Sequence, residues 1–160
     1  DHNLVLLASS SKLWNTEQGK AIDFGNLLHD IFAKIITKND IDKVIAQYHQ
    51  QGVLNEDQLQ EITRDVNEVV NHSKLIDYFS DEVIIYNERE IVYDQQIVIP
   101  DRLVFDHENK VTIIDYKTGI SKEAHRFQLD NYARVLESLK YTVLKKVLVY
   151  SNETVSVEEF

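Results

Sequence analysis

The chain has 160 residues, 43% hydrophobic and 28% charged, a composition that supports one domain around a single core. Its formal charge of −10 is evenly spread, with 12 acids against 7 Lys/Arg in residues 1–80 and 15 against 10 in residues 81–160, so no basic half or tail marks a phosphate-tracking surface. With no cysteine it has no disulfide, thiolate zinc site or cysteine-held iron–sulfur cluster, and no apolar run reaches the roughly 18–20 residues that span a bilayer. The N-terminus lacks the basic-then-apolar pattern of a signal peptide, and a cytoplasmic setting without membrane attachment is expected. There is no methionine and the chain opens on Asp1, so residues 1–160 are expected to be one domain cut from a longer protein.

The first half is predicted helical. Leu27, Leu28, Ile31, Phe32 and Ile35 recur at helical spacing from Phe24, with Asp23 as the expected N-cap. A short helix is predicted from Ile41 to about His49. Gly52 punctuates, and Asn55 caps a third helix carrying Leu59, Ile62, Val66, Val69 and Val70. A last short turn is expected over Leu75–Phe79. The second half changes period. Glu82–Tyr93 and Gln95–Phe105 are rich in Ile, Val and Tyr and are predicted strands, with a polar turn at 107–110 and a third strand over Val111–Lys117. Helical spacing returns over 122–139 through Phe127, Tyr132, Val135, Leu136 and Leu139. Two closing strands are predicted, Tyr141–Tyr150 and Thr154–Val157. Gly19-Lys20-Ala21 has neither the upstream glycine nor the hydroxyl of a phosphate loop, so this segment is not an ATPase motor.

The strongest chemical signal is Pro100-Asp101, followed after 13 intervening residues by Asp115-Tyr116-Lys117. Side chains alternate along a strand, so Asp115 and Lys117 point one way and Tyr116 the other. If the two strands are hairpin neighbours, Asp101 approaches Asp115. Two carboxylates supply hard oxygen ligands for magnesium, and a lysine beside them orients water or stabilises charge developing on phosphorus. An ammonium beside carboxylates favours its charged form, so a positioning and electrostatic role for Lys117 is preferred to that of an obligate base. The competing reading is a surface hairpin with a solvated ion pair. Ile113-Ile114 speaks for a buried strand instead, where charges need a reason to be present.

Asp115-Tyr116-Lys117-Thr118-Gly119 resembles the D-Y-K-T-G segment of RecB-like nucleases of the PD-(D/E)xK superfamily, modules often appended to UvrD-like or AddAB-type helicases. Three other segments share the resemblance in the family's order. Gly25-Asn26-Leu27-Leu28-His29 resembles its G-x-x-x-H helix, Asp101-Arg102 its aspartate followed by a basic residue, and Gln128-Leu129-Asp130-Asn131-Tyr132 its Q-x-x-x-Y helix. The resemblance implies a restriction-endonuclease-like α/β core, a mixed central sheet flanked by helices with an N-terminal helical part. It implies a Mg2+- or Mn2+-dependent deoxyribonuclease leaving 5′-phosphates and serving DNA repair or recombination. Its partners would be DNA, single-stranded or as duplex ends, and a helicase domain of the same parent. His29, Asp101, Asp115 and the Tyr116 carbonyl would hold the metal, Lys117 would assist attack, and Gln128 and Tyr132 would support the site. Relatives carrying four cysteines for an iron–sulfur cluster are a different subgroup, since this chain has none.

Several assignments stay open at this level. Tyr132 is either core or a site residue, and Gln128 either rim or a partner of the lysine. Arg102 and Arg126 contact either phosphate or acids. Glu88 or Glu90 is an accessory acid of the site. His2, His49, His72, His107 and His125 are expected at the surface, and Lys145-Lys146 in a solvated turn or strand end. The other readings of the whole chain are a catalytically silent DNA-end or partner-binding module of the same fold, and an unrelated acidic interaction domain.

Overall fold

A computed structural model describes the backbone of residues 17–160 and the side chains from residue 23 onward. His2 lies outside the described residues. The helical half comprises α1 (Glu17–Ala33), α2 (Ile41–Gln50) and α3 (Glu56–Val70), with 3-10 turns at Lys38–Asp40 and Ile76–Phe79. Thr37 and Asp40 form a capping box before α2, and Asn55 and Gln58 another before α3, where each side chain takes the other's backbone N–H at 2.9–3.0 Å. The chain is already helical at Glu17, so Asp23 lies inside α1 instead of capping it. Leu28, Ile31, Phe32 and Ile35 are buried, as their spacing requires.

The main sheet runs in the order β1-β4-β5-β6-β7, from β1 (Ile84–Asn87), β4 (Arg102–Phe105), β5 (Lys110–Lys117), β6 (Thr142–Ser151) and β7 (Val155–Glu159). β5 and β6 are parallel, joined by α4 (Glu123–Ser138); the other pairings are antiparallel, so the sheet is mixed as expected. The two long predicted strands before the 107–110 turn are each broken. Glu88 takes a left-handed backbone (φ 49) and its N–H donates to the Asp101 carbonyl at 3.0 Å, which ends β1. Pro100 cannot donate to a ladder, and the strand before it stops at Val98. Between these breaks β2 (Ile91–Tyr93) and β3 (Gln96–Val98) form a separate hairpin. Its two-residue turn, Asp94 and Gln95, has both φ values positive, the type I′ geometry that matches strand twist.

Two cores sandwich the sheet. Val104, Ile114, Tyr116, Val147 and Val149 pack against α1, α2 and α3; Leu103, Phe105, Ile113, Leu148 and Tyr150 pack against α4. Along α4 the apolar spacing holds at Tyr132, Val135 and Leu136, but Phe127 is 66% exposed and Leu129 fills the core position. Lys145 and Lys146 lie within β6, not in a turn. Lys146 reaches Asp130 at 2.6 Å, and Lys145 reaches Glu159 at 3.4 Å.

Candidate active site

The β4–β5 hairpin brings the two aspartates together in reciprocal fashion. The Asp101 N–H donates to Asp115 Oδ1, and the Tyr116 N–H donates to Asp101 Oδ2, both at 2.9 Å. Alternation along β5 then sorts its side chains. Asp115 and Lys117 project toward α4, while Tyr116 stacks on Phe32 of α1 with ring centroids 4.3 Å apart. Lys117 Nζ lies 3.6 Å from Asp115 and donates to Gln128 Oε1 at 2.6 Å. Gln128 thus resolves as the lysine's partner. Tyr132, one turn along α4, is buried at 7% exposure yet lines the same cleft, so it serves as core and wall together.

α1 delivers His29 from the other side. Its Nε2 lies 2.7 Å from the Tyr116 carbonyl oxygen and 3.2 Å from Asp101 Oδ2. The helix approaches closely because Gly25 has no side chain. A Cβ there would sit 3.2 Å from Thr118 Oγ1, in the loop just after β5. Among the described residues, His29, Glu88 and Asp101 form one group whose ligand atoms lie within 4.8 Å of one another. Of the two glutamates left open as an accessory acid, both line the cleft and Glu88 is the one in this group. Asp115 stands outside that triangle, engaged by the Asp101 N–H and Lys117.

The electrostatics are those of carboxylates held where water does little for them. Burial, then the Asp101 charge, pushes the Asp115 carboxyl well above its ordinary value. Burial likewise raises Asp101, against the opposing pull of His29, and burial followed by the Asp101 charge raises Glu88. Three neighbouring acids thus bind protons more tightly folded than unfolded. Protonation therefore favours the folded state, and stability falls as pH rises from the unfolded value near 4 through the raised folded values. In EDTA, Tm is expected to fall by more than about 3 °C between pH 5 and pH 8, and Mn2+ to recover the loss at pH 8. A Tm that rises over that range in EDTA contradicts the reading; thermal melts at fixed ionic strength decide it.

The donor set suits a hard divalent cation. An imidazole nitrogen, a backbone carbonyl and two carboxylates lie close together without cysteine, the mixture that magnesium and manganese accept, with Asp115 beside them.

Other predicted residues go elsewhere. Arg102 contacts neither phosphate nor an acid: it is 0% exposed and donates to the Ile35, Ile36 and Tyr78 carbonyls. Arg126 takes the acid-pairing option, 3.9 Å from Glu158 and over the Phe160 ring. His49 pairs with exposed Glu56 at 2.8 Å. His125 is half-buried, against the surface expectation, with Nδ1 2.7 Å from the Tyr150 hydroxyl.

A family model for the PD-(D/E)XK nuclease superfamily matches residues 6–158. Among curated proteins the chain is similar to an ATP-dependent helicase/nuclease subunit of Clostridioides difficile (strain 630), 24% identical over a 172-residue alignment. That alignment covers 87% of this chain and 13% of that protein, so the chain spans about an eighth of the relative's length. A solved structure described as "Crystal structure of SSO0001" aligns over 82% of this chain and 65% of its own, at 18% identity and a TM-score of 0.34. The mixed five-stranded sheet with flanking helices is the restriction-endonuclease-like architecture that the four motifs imply.

Proposed function

The chain belongs to the PD-(D/E)XK nuclease superfamily, and from that premise we propose that it is a Mg2+- or Mn2+-dependent deoxyribonuclease domain. In this reading residues 1–160 form one module of a cytoplasmic helicase–nuclease that serves DNA repair or recombination. The observation that carries it is the convergence of His29 Nε2, Asp101 Oδ2 and the Tyr116 carbonyl beside Asp115 and Lys117. The helicase partnership draws on the name of the Clostridioides difficile relative.

His29, Asp101, Asp115, Glu88 and the Tyr116 carbonyl would hold the cation, which would supply a Lewis acid for the scissile phosphate and for a water. Lys117, steadied by Gln128, stabilises charge developing on phosphorus and orients the attacking water. The water oxygen bonds to phosphorus and the bond to the 3′ oxygen breaks. The water gives up a proton to solvent, the 3′ oxygen takes one up from solvent as it leaves, and the 5′-phosphate stays on the neighbouring nucleotide. Tyr132 and Gly25 shape the walls that keep this geometry. No described helix is long and apolar enough to cross a membrane.

The test is cleavage of labelled single- and double-stranded DNA with Mn2+, Mg2+ or EDTA, comparing wild type with Lys117→Ala. Cutting should need metal and fall about 10²–10³-fold in the variant, the usual effect of removing one preorganised charge-stabilising donor. Equal cutting by both would sink this site. Cutting by neither would favour the silent DNA-end-binding module over an active domain.

A further inference from the structure

Behind the cation site lies a buried polar cluster that the chemistry above does not use. Arg102 is fully buried, yet among the described residues no carboxylate lies within 4 Å of its guanidinium. Four of its five hydrogen bonds go to backbone carbonyls. Nη1 donates to Ile35 O at 2.7 Å, Nη2 to Ile36 O at 2.6 Å and to Tyr78 O at 2.8 Å, and Nε to Tyr78 O at 3.2 Å. The guanidinium also lies over the Phe79 ring at 3.9 Å. Asn87, its cross-strand neighbour on β1, completes the cluster. Asn87 Oδ1 accepts from Arg102 Nη1 at 3.2 Å, and Asn87 Nδ2 donates to Ala33 O at 3.2 Å and Ile35 O at 3.0 Å.

Of the captured carbonyls, Tyr78 O belongs to the 3-10 turn before β1, and Ala33 O, Ile35 O and Ile36 O belong to the last residue of α1 and the segment just beyond it, where a helix leaves its acceptors unsatisfied and its dipole is negative. The same two side chains are each one residue from a site acid. Asn87 precedes Glu88, and Arg102 follows Asp101. His29 lies on the helix whose end they grip. One hydrogen-bonded knot therefore ties together the three elements that supply the imidazole and two of the carboxylates.

We propose that Asn87 and Arg102 are positioning residues that set the separation of His29, Glu88 and Asp101, and hence the cation affinity of the site. This rests on the cation site proposed above. Fixing the helix end fixes where His29 falls relative to the sheet. Fixing the ends of β1 and β4 fixes where the two carboxylates turn. Groups that orient ligands in this way typically change metal affinity by about 10–100-fold when removed.

The test compares wild type with Asn87→Ala and Arg102→Lys, reading Mn2+ affinity by the EPR signal of the free ion and folding by circular dichroism and Tm. A lysine keeps the charge of Arg102 but cannot span three carbonyls. Ile62→Val on α3, a truncation of a buried apolar side chain that takes no part in the hydrogen-bonded cluster, serves as a control for lost stability alone. Each clamp variant should weaken Mn2+ binding about 10–100-fold, while the control, for a comparable loss of Tm, should stay within about twofold. Wild-type affinity in folded Asn87→Ala overturns the proposal even if Tm falls, and it decides the matter should Arg102→Lys not fold. A wild type that takes up no Mn2+ overturns the cation site itself, and the clamp's role with it. Uptake by wild type with unchanged affinity in the variants overturns the clamp alone.

Discussion

Asp115→Asn should abolish metal-dependent DNA cleavage, by at least about 10³-fold, while leaving the protein folded. The expectation follows from the position of Asp115 at the meeting of three demands. It receives the Asp101 N–H, faces Lys117 at 3.6 Å, and carries a charge that burial makes costly. A carboxylate kept ionised there needs a cation opposite it, and losing a ligand that stabilises transition-state charge costs several kcal/mol, tenfold in rate for each 1.36 kcal/mol. Asparagine keeps the shape and the acceptor oxygen for the Asp101 N–H but not the charge. In EDTA at pH 8 the variant should therefore melt no lower than wild type, since it no longer buries an ionised carboxylate. With Mn2+ present, wild type should gain Tm and the variant should gain little. An Asp115→Asn protein that still cuts with metal at the wild-type rate would place the chemistry elsewhere in the cleft.

The sequence made the reactive strand legible because β5 obeys the simplest rule a strand has. Alternation alone puts Asp115 and Lys117 on one face and Tyr116 on the other, and the structure keeps that division. The helical pairs Gly25/His29 and Gln128/Tyr132 were legible for the same reason, at their own period. Asn55 was readable as a cap because its chemistry is local to the next three residues. What the sequence did not disclose depends on backbone that leaves the regular periods. Glu88 sits at φ 49 and Pro100 interrupts the next strand, so two long apolar runs became four short strands, two of them paired as a detached hairpin. Only that break turns Glu88, and not Glu90, toward His29 and Asp101. Phe127 illustrates the opposite failure. It sits on the predicted apolar stripe, yet Leu129 takes the buried position.

Arg102 was the least legible residue, since a basic side chain next to a site aspartate invites a phosphate role. Its burial leads to a large and different expectation: Arg102→Met should cost about 3–5 kcal/mol of stability, a fall in Tm of about 10 °C for a domain of this size. Methionine fills part of the space but donates nothing. The Ile35, Ile36 and Tyr78 carbonyls and the Asn87 amide oxygen would each lose a donor, Ile35 keeping the one from Asn87 Nδ2, at about 1–3 kcal/mol for each group that finds no substitute. An opposing effect comes from the charge itself. Burial already pushes the guanidinium below its ordinary value, so keeping it charged costs the folded state free energy that methionine would not. The orphaned acceptors outnumber that single desolvated charge, so the balance falls on the side of loss, whereas replacing partners and cation together would be far milder. Denaturant titration in EDTA measures the effect apart from the cation site. If Arg102 instead served phosphate, the variant would keep its midpoint, and cleavage would lose part of its salt dependence. An unchanged midpoint would therefore refute the buried role and return this arginine to the DNA.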